Sequence, residues 1–146
     1  MVVAGLIPVM GALTVTNLLG NQLDAESAKM LAEVAKQKGI SLCGIQRDQT
    51  TADFCKKGLG PRDVILLGSD LSQAVVTGAL ASVDLSGNHL THYGRDMTGI
   101  KELAAALGVN GALTECNLQC DPCIGEEGEA LIRKAMQGKA GFKLRI

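Results

Sequence analysis

Aromatic residues are almost absent from this chain. Phe54, Tyr93 and Phe142 are the whole set, 2% of 146 residues, and there is no Trp. A platform that stacks nucleic-acid bases needs such rings, so that class is disfavoured. The core must be aliphatic, and a hydrophobic share of 47% supplies it from Leu, Val, Ile and Ala. An excess of positive charge is missing too, since the net charge is -1. Neither nucleic acid nor an acidic membrane surface is expected as a partner. The cysteines, Cys43, Cys55, Cys116, Cys120 and Cys123, are odd in number and give no even disulfide framework. Without a clear signal peptide, that points to a reducing, cytoplasmic setting. Long apolar runs are lacking. The apolar opening from Met1 to Leu13 has no basic start, carries Pro8 in its middle and falls short of the roughly 20 residues that span a bilayer. No phosphate-binding glycine loop occurs, and no cofactor is expected.

What the chain does have is a recurring apolar pattern. Leu80, Val83, Leu85, Asn88 and Leu90 stand at fixed offsets. Val83 and Leu85 alternate as one face of a short strand requires. Asn88 falls where the chain must turn, and its amide can both donate and accept. The same offsets return at Leu13, Thr16, Leu18, Asn21 and Leu23, and in degraded form at Gln49, Ala52, Phe54, Lys57 and Leu59. A fourth copy runs through Leu113, Cys116, Leu118 and Asp121, with Ile124 as its last apolar residue. The copies start at 13, 49, 80 and 113, in steps of 36, 31 and 33 residues. After each, apolar residues recur three and four apart, as at Ala28, Leu31 and Ala35, which is helical spacing.

This pattern resembles the leucine-rich repeat, and a full helix after every strand resembles its long, ribonuclease-inhibitor-like type. The resemblance covers nearly the whole chain. It implies an α/β solenoid of about four repeats plus a terminal strand, with a parallel sheet on the concave side and helices on the convex side. Residues 1–146 read as a single domain, the C-terminal part of a longer array. The apolar Val2 to Met10 reads as the helix of a preceding repeat, and an uncapped flank there would favour self-association.

In chain order, strands are expected near Val15 to Leu18, Thr51 to Phe54, Ser82 to Leu85 and Glu115 to Leu118, with a fifth over Phe142 to Ile146. Helices are expected over Ala25 to Lys38, Pro61 to Leu71, Gly99 to Leu107 and Glu126 to Gln137. Ile40 to Gln49 is a longer connection whose Leu42, Cys43 and Ile45 tuck under the next strand. The largest departure from the repeat is five extra residues within Thr91 to Thr98.

The resemblance places residues between the leucines on the concave face. Asn17, Asp53, Asp84 and Asn117 form its middle row, flanked by Ser82 and Glu115. Asp53 and Asp84 should be neighbours, because strands lie about 4.8 Å apart. This face could dock a protein with Lys or Arg at its tip, or its acids could simply keep it soluble. His92, Tyr93 and Arg95 in the insertion are a second candidate contact, since loops often carry function. No nucleophile or oxyanion donor set accompanies the two acids, so an enzyme is not expected. Cys116, Cys120 and Cys123 offer a C-x2-C half-site, but a zinc site takes about four ligands and Cys116 sits in a leucine slot, so no metal is expected. Asn21 and Asn88 are expected to form an internal ladder, broken by Lys57 and Asp121. The resemblance implies a protein-interaction module. It leaves open a regulator of a small GTPase, as the similarly built Ran GTPase-activating protein is, or the sensor end of a receptor-like multidomain protein.

Overall fold

Apolar residues at helical spacing and short alternating triplets divide the chain into alternating helices and strands. The computed structural model of the protein describes residues 13–121 and 124–146. Helix α1 (Ala25–Lys38) starts at Asp24, whose carboxylate accepts the Ser27 amide at 2.7 Å. It ends at Gly39, whose φ of 69° suits glycine and closes the last turn on the Ala35 carbonyl. Strand β1 (Thr51–Asp53) leads to α2 (Pro61–Leu71), where Pro61 occupies the first turn and so removes no helical hydrogen bond. A single turn of helix, α3 (Ala74–Thr77), follows, then β2 (Ser82–Asp84), α4 (Thr98–Val109), β3 (Glu115–Asn117), α5 (Gly125–Ala135) and β4 (Lys143–Arg145).

The strands form one parallel sheet in the order β1-β2-β3-β4. Every crossover returns beside the strand it left, which gives a repeat-like α/β fold. The central residues Ala52, Val83 and Cys116 are buried, and they share one core with Leu31, Leu66, Leu103 and Ile132 of the helices. The helices therefore cover one face of the sheet, and consecutive long helices pack on each other. Helices α2 and α4 approach so closely that a Cβ on Gly99 would lie 2.7 Å from the Pro61 carbonyl oxygen. Lys139 closes the far end of α4, donating to the Leu107 carbonyl at 2.6 Å and to the Asn110 carbonyl. A cation there opposes the negative end of the helix.

The expected strand near Val15 to Leu18 does not join this sheet. Val15 and Asn17 make isolated bridges to Ser41 and Cys43 instead. The connection after α1 explains this. Leu42, Cys43 and Ile45 are buried as expected, Ile40 is buried with them, and the segment brings its own backbone alongside residues 14–18. The expected helix over Val2 to Met10 lies outside the described residues. The terminal strand is present as β4.

Candidate functional site

The first three strands bury their central side chain against the helices and Leu144 of β4 is half-buried there, so the outer two of each strand face the opposite side. That side carries Thr51 and Asp53, Ser82 and Asp84, Glu115 and Asn117, and Lys143 and Arg145. All of them are exposed or half-buried. The register sets Asp53 beside Asp84, Asp84 beside Asn117, and Asn117 beside Arg145. The expected adjacency of the two acids is therefore present. Asn17, placed in the same row by sequence offset, is opposite Cys43 instead and is not a strand neighbour of Asp53. The row continues at its other end into basic residues, and Arg145 pairs with Glu115 at 3.2 Å.

Asn and Asp recur in this row for a local reason that the repeat offsets do not reveal. In every copy the side-chain oxygen accepts the backbone amide two residues on. Asn17 holds Leu19 at 3.1 Å, Asp53 holds Cys55 at 3.0 Å, Asp84 holds Ser86 at 2.9 Å and Asn117 holds Gln119 at 3.0 Å. These side chains close the turn that ends each strand. Hydrogen bonds from the Cys55 side chain and backbone hold the Asp53 carboxyl below its usual pKa, and the same contact raises the Cys55 thiol. Oxygens of Asp53 and Asp84 and the Cys55 sulfur converge within 4.8 Å of one another. The result is an acidic corner on an otherwise polar face.

Beside it lies a notch of about 460 Å³, lined by Asn17, Gly44, Asp53 and Lys57 among others. It opens where the first strand departs from the sheet. The offsets, which place Asn17 directly in the row, give no sign of it.

The insertion is ordered by its own hydrogen bonds. Buried Thr91 accepts the Gly94 amide at 2.9 Å through its hydroxyl and the Asp96 amide at 2.9 Å through its carbonyl. His92, Tyr93 and Gly94 all have positive φ, so the loop turns sharply and presents His92, Tyr93 and Arg95 to solvent. The Tyr93 ring is 5.0 Å from that of His89 and 6.2 Å from that of His92. His92 and Asp96 also line a cleft of about 430 Å³ with Gly20, Gly58, Arg62 and Asp63.

Below the face, Asn88 links adjacent turns. Its oxygen accepts the amides of Lys57 and Leu59 at 3.0 Å each, and its nitrogen donates to the carbonyls of Phe54 at 2.9 Å and Leu85 at 2.8 Å. Asp121 is the next rung, accepting the Asn88 amide at 2.8 Å. Asn21, expected as a rung, is exposed and makes a single long bond to the Leu19 carbonyl at 3.4 Å. Its turn is tied instead to α2, where Asp63 accepts the Gly20 amide at 2.9 Å. The Lys57 side chain points to solvent, and only its backbone takes part.

Asp70 escaped the sequence reading. It is fully buried in α2 and accepts from the Ser41 hydroxyl at 2.6 Å and from the Leu42 and Cys43 amides at 2.8 and 3.2 Å. Burial raises its carboxyl to a pKa of about 6 despite these bonds. A signal existed: Asp70 lies three and four residues after Leu67 and Leu66, on the apolar side of its helix. Cys116 fills its leucine slot and is buried, and burial pushes its thiol up to about 12. Cys120 is exposed, while Cys123 lies outside the described residues.

No family model matches the chain, and no curated protein matches it. Among solved structures it is similar to one described as Leiomodin-1 Actin-Binding Site 2 (ABS2), at 18% identity and a TM-score of 0.45, over 95% of this chain and 73% of that one. The geometry of the open sheet face, and not this likeness, carries the functional reading.

Proposed function

We propose that the protein is a leucine-rich-repeat interaction module of the ribonuclease-inhibitor-like type, and that it docks a protein partner on the open face of its sheet. The observation that supports this most is the bare face itself. A parallel sheet ordinarily has both faces covered by helices. Here one face is packed, and the other presents exposed or half-buried side chains from all four strands. Repeat arrays use such extended surfaces for binding. Asp53, Ser82, Asp84, Glu115 and Asn117 supply the contacts, with Asn17 across the notch. The acidic corner at Asp53 and Asp84 favours a Lys or Arg from the partner, and Lys143 and Arg145 favour an acidic group at the other end.

Docking fits this face better than catalysis. The two acids stand on an open surface, and among the described residues each already holds the turn of its own strand. None of the described helices is long and apolar enough to cross a membrane. Cys43, Cys55, Cys116 and Cys120 are free thiols, which suits a reducing compartment. Regulation of a small GTPase is the more specific form of the same reading. It would show as a GTPase in the bound fraction whose GTP hydrolysis speeds up when the protein is added.

The test is affinity capture from the source extract with the wild type and with Asp53→Lys/Asp84→Lys. The captured protein is identified by mass spectrometry, and its affinity is then measured with purified components. Loss of at least tenfold in affinity in the double variant is the expected result. Full retention overturns the assignment to this face and moves it to His92, Tyr93 and Arg95.

A further inference from the structure

Asp121 occupies the turn position that Asn88 occupies one repeat earlier. Pairing of Ala52 with Val83 and of Val83 with Cys116 makes Phe54, Leu85 and Leu118 equivalent positions. The Asn88 nitrogen donates to the first two of these carbonyls. By the same equivalence the acceptors for a donor at position 121 would be the carbonyls of Leu85, which already takes the Asn88 side-chain amide, and of Leu118. A carboxylate has no donor to give. Its Oδ1 accepts the Asn88 amide at 2.8 Å, but its Oδ2 is buried and has no hydrogen-bond partner among the described residues. The residue is only 8% exposed. An ionised oxygen without a donor is costly in such a place. A proton on Oδ2 would turn it into the missing donor and restore the function of the Asn amide.

We propose that Asp121 is a protonation-dependent latch between the turns that follow β2 and β3, closed by its acid form and loosened when the proton leaves for solvent. The surroundings agree. The charged group that bears on it is Asp84 of β2, which repels its negative charge, and Asp121 in turn raises the buried Cys116 thiol of β3. No cation offsets either among the contributions that shift it. Burial is the largest cause and raises its carboxyl from 3.8 to about 7, outweighing the Asn88 bond. In an opened turn the group returns to an ordinary carboxylate, with a pKa of about 4. Between these values the closed turn holds a proton that the open turn does not. Opening therefore becomes easier as pH rises from about 4 to about 7, by up to about tenfold per unit, and levels off above that.

The experiment is residue-resolved hydrogen exchange on the whole chain from pH 5 to 8, corrected for the intrinsic exchange rate. It is paired with a carboxyl-carbon titration of Asp121. The reporter is the Asn88 amide, which Asp121 holds, and the reference is the Lys57 amide, which Asn88 holds. The expected result is a loss of Asn88 protection of at least tenfold between pH 5 and 7, then a plateau, with Lys57 much flatter. Asp121→Asn installs the amide of the preceding repeat and should make Asn88 protection independent of pH. An Asp121 titration midpoint near 4 would overturn the latch. So would a pH course for Asn88 that is the same in Asp121→Asn as in the wild type.

Discussion

Asn88 and Asp70 address the same difficulty in two regions of the molecule. From β1 onward the strands pair in one register, and the turn after each must satisfy backbone groups that the sheet leaves over. Asn88 does so with a neutral amide that gives two short hydrogen bonds and one long one and takes two. Before β1 the chain abandons the repeat, and residues 41–43 lie against α2 without joining the sheet. There the buried Asp70 carboxylate takes three hydrogen bonds and gives none. The amide rung has no charge to lose or gain. The carboxylate ties the stability of the N-terminal region to pH. One protein thus ties its turns with an amide that ignores acidity at Asn88 and with carboxyls that sense it at Asp70 before β1 and at Asp121 after β3.

Four changes probe this contrast. Leu85→Ala should have the largest effect, about 4 kcal/mol of lost stability in urea unfolding, because it empties a fully buried leucine position. At about pH 4, Asn88→Ala and Asp70→Ala should each remove about 3 kcal/mol, since each strands two or more buried backbone groups. Equal losses would support the comparison. If Asp70→Ala cost under about 1 kcal/mol, the carboxylate would not be the clamp of its region.

The same pair should separate with pH. The folded pKa of Asp70, about 6, stands above its ordinary 3.8. The stability it contributes is therefore full below about pH 4 and is lost as pH rises through 6. The wild-type unfolding midpoint should fall across that window, and Asp70→Ala should make the fall shallower, leaving the share that Asp121 contributes. Asn88→Ala should leave the slope as it was.

Asp84→Ala should matter least, about 1 kcal/mol, through the turn it closes with Ser86. A loss as large as that for Leu85→Ala would mean that the packed and open faces have been exchanged.

How much of this was legible in the sequence depended on how local the cause was. Val83 and Leu85 alternate and Asn88 follows at a fixed offset, so β2 and its turn could be read directly. Pro61, Gly39 and the three- and four-residue spacing placed α1 and α2. Asn17 was misplaced because its neighbour is set by what Asp70 binds 28 residues after Leu42, and a pattern of offsets does not contain that contact. Asn21 carries the right residue at the right offset, yet its turn is tied down by Asp63 and its side chain is left in solvent. Within the candidate site, Asp53, Asp84 and Asn117 were found where expected. Their role in ending the strands was hidden, because it needs the backbone to turn back on the side chain.

Docking on the open face is tested by photo-crosslinking from two positions in the source extract. One crosslinking residue replaces Ser82 on the open face, and the other replaces exposed Lys101 on α4. The expected result is a discrete crosslinked protein from position 82 that disappears in Asp53→Lys/Asp84→Lys, and none from position 101. A crosslink from position 101 with nothing from position 82 would contradict it.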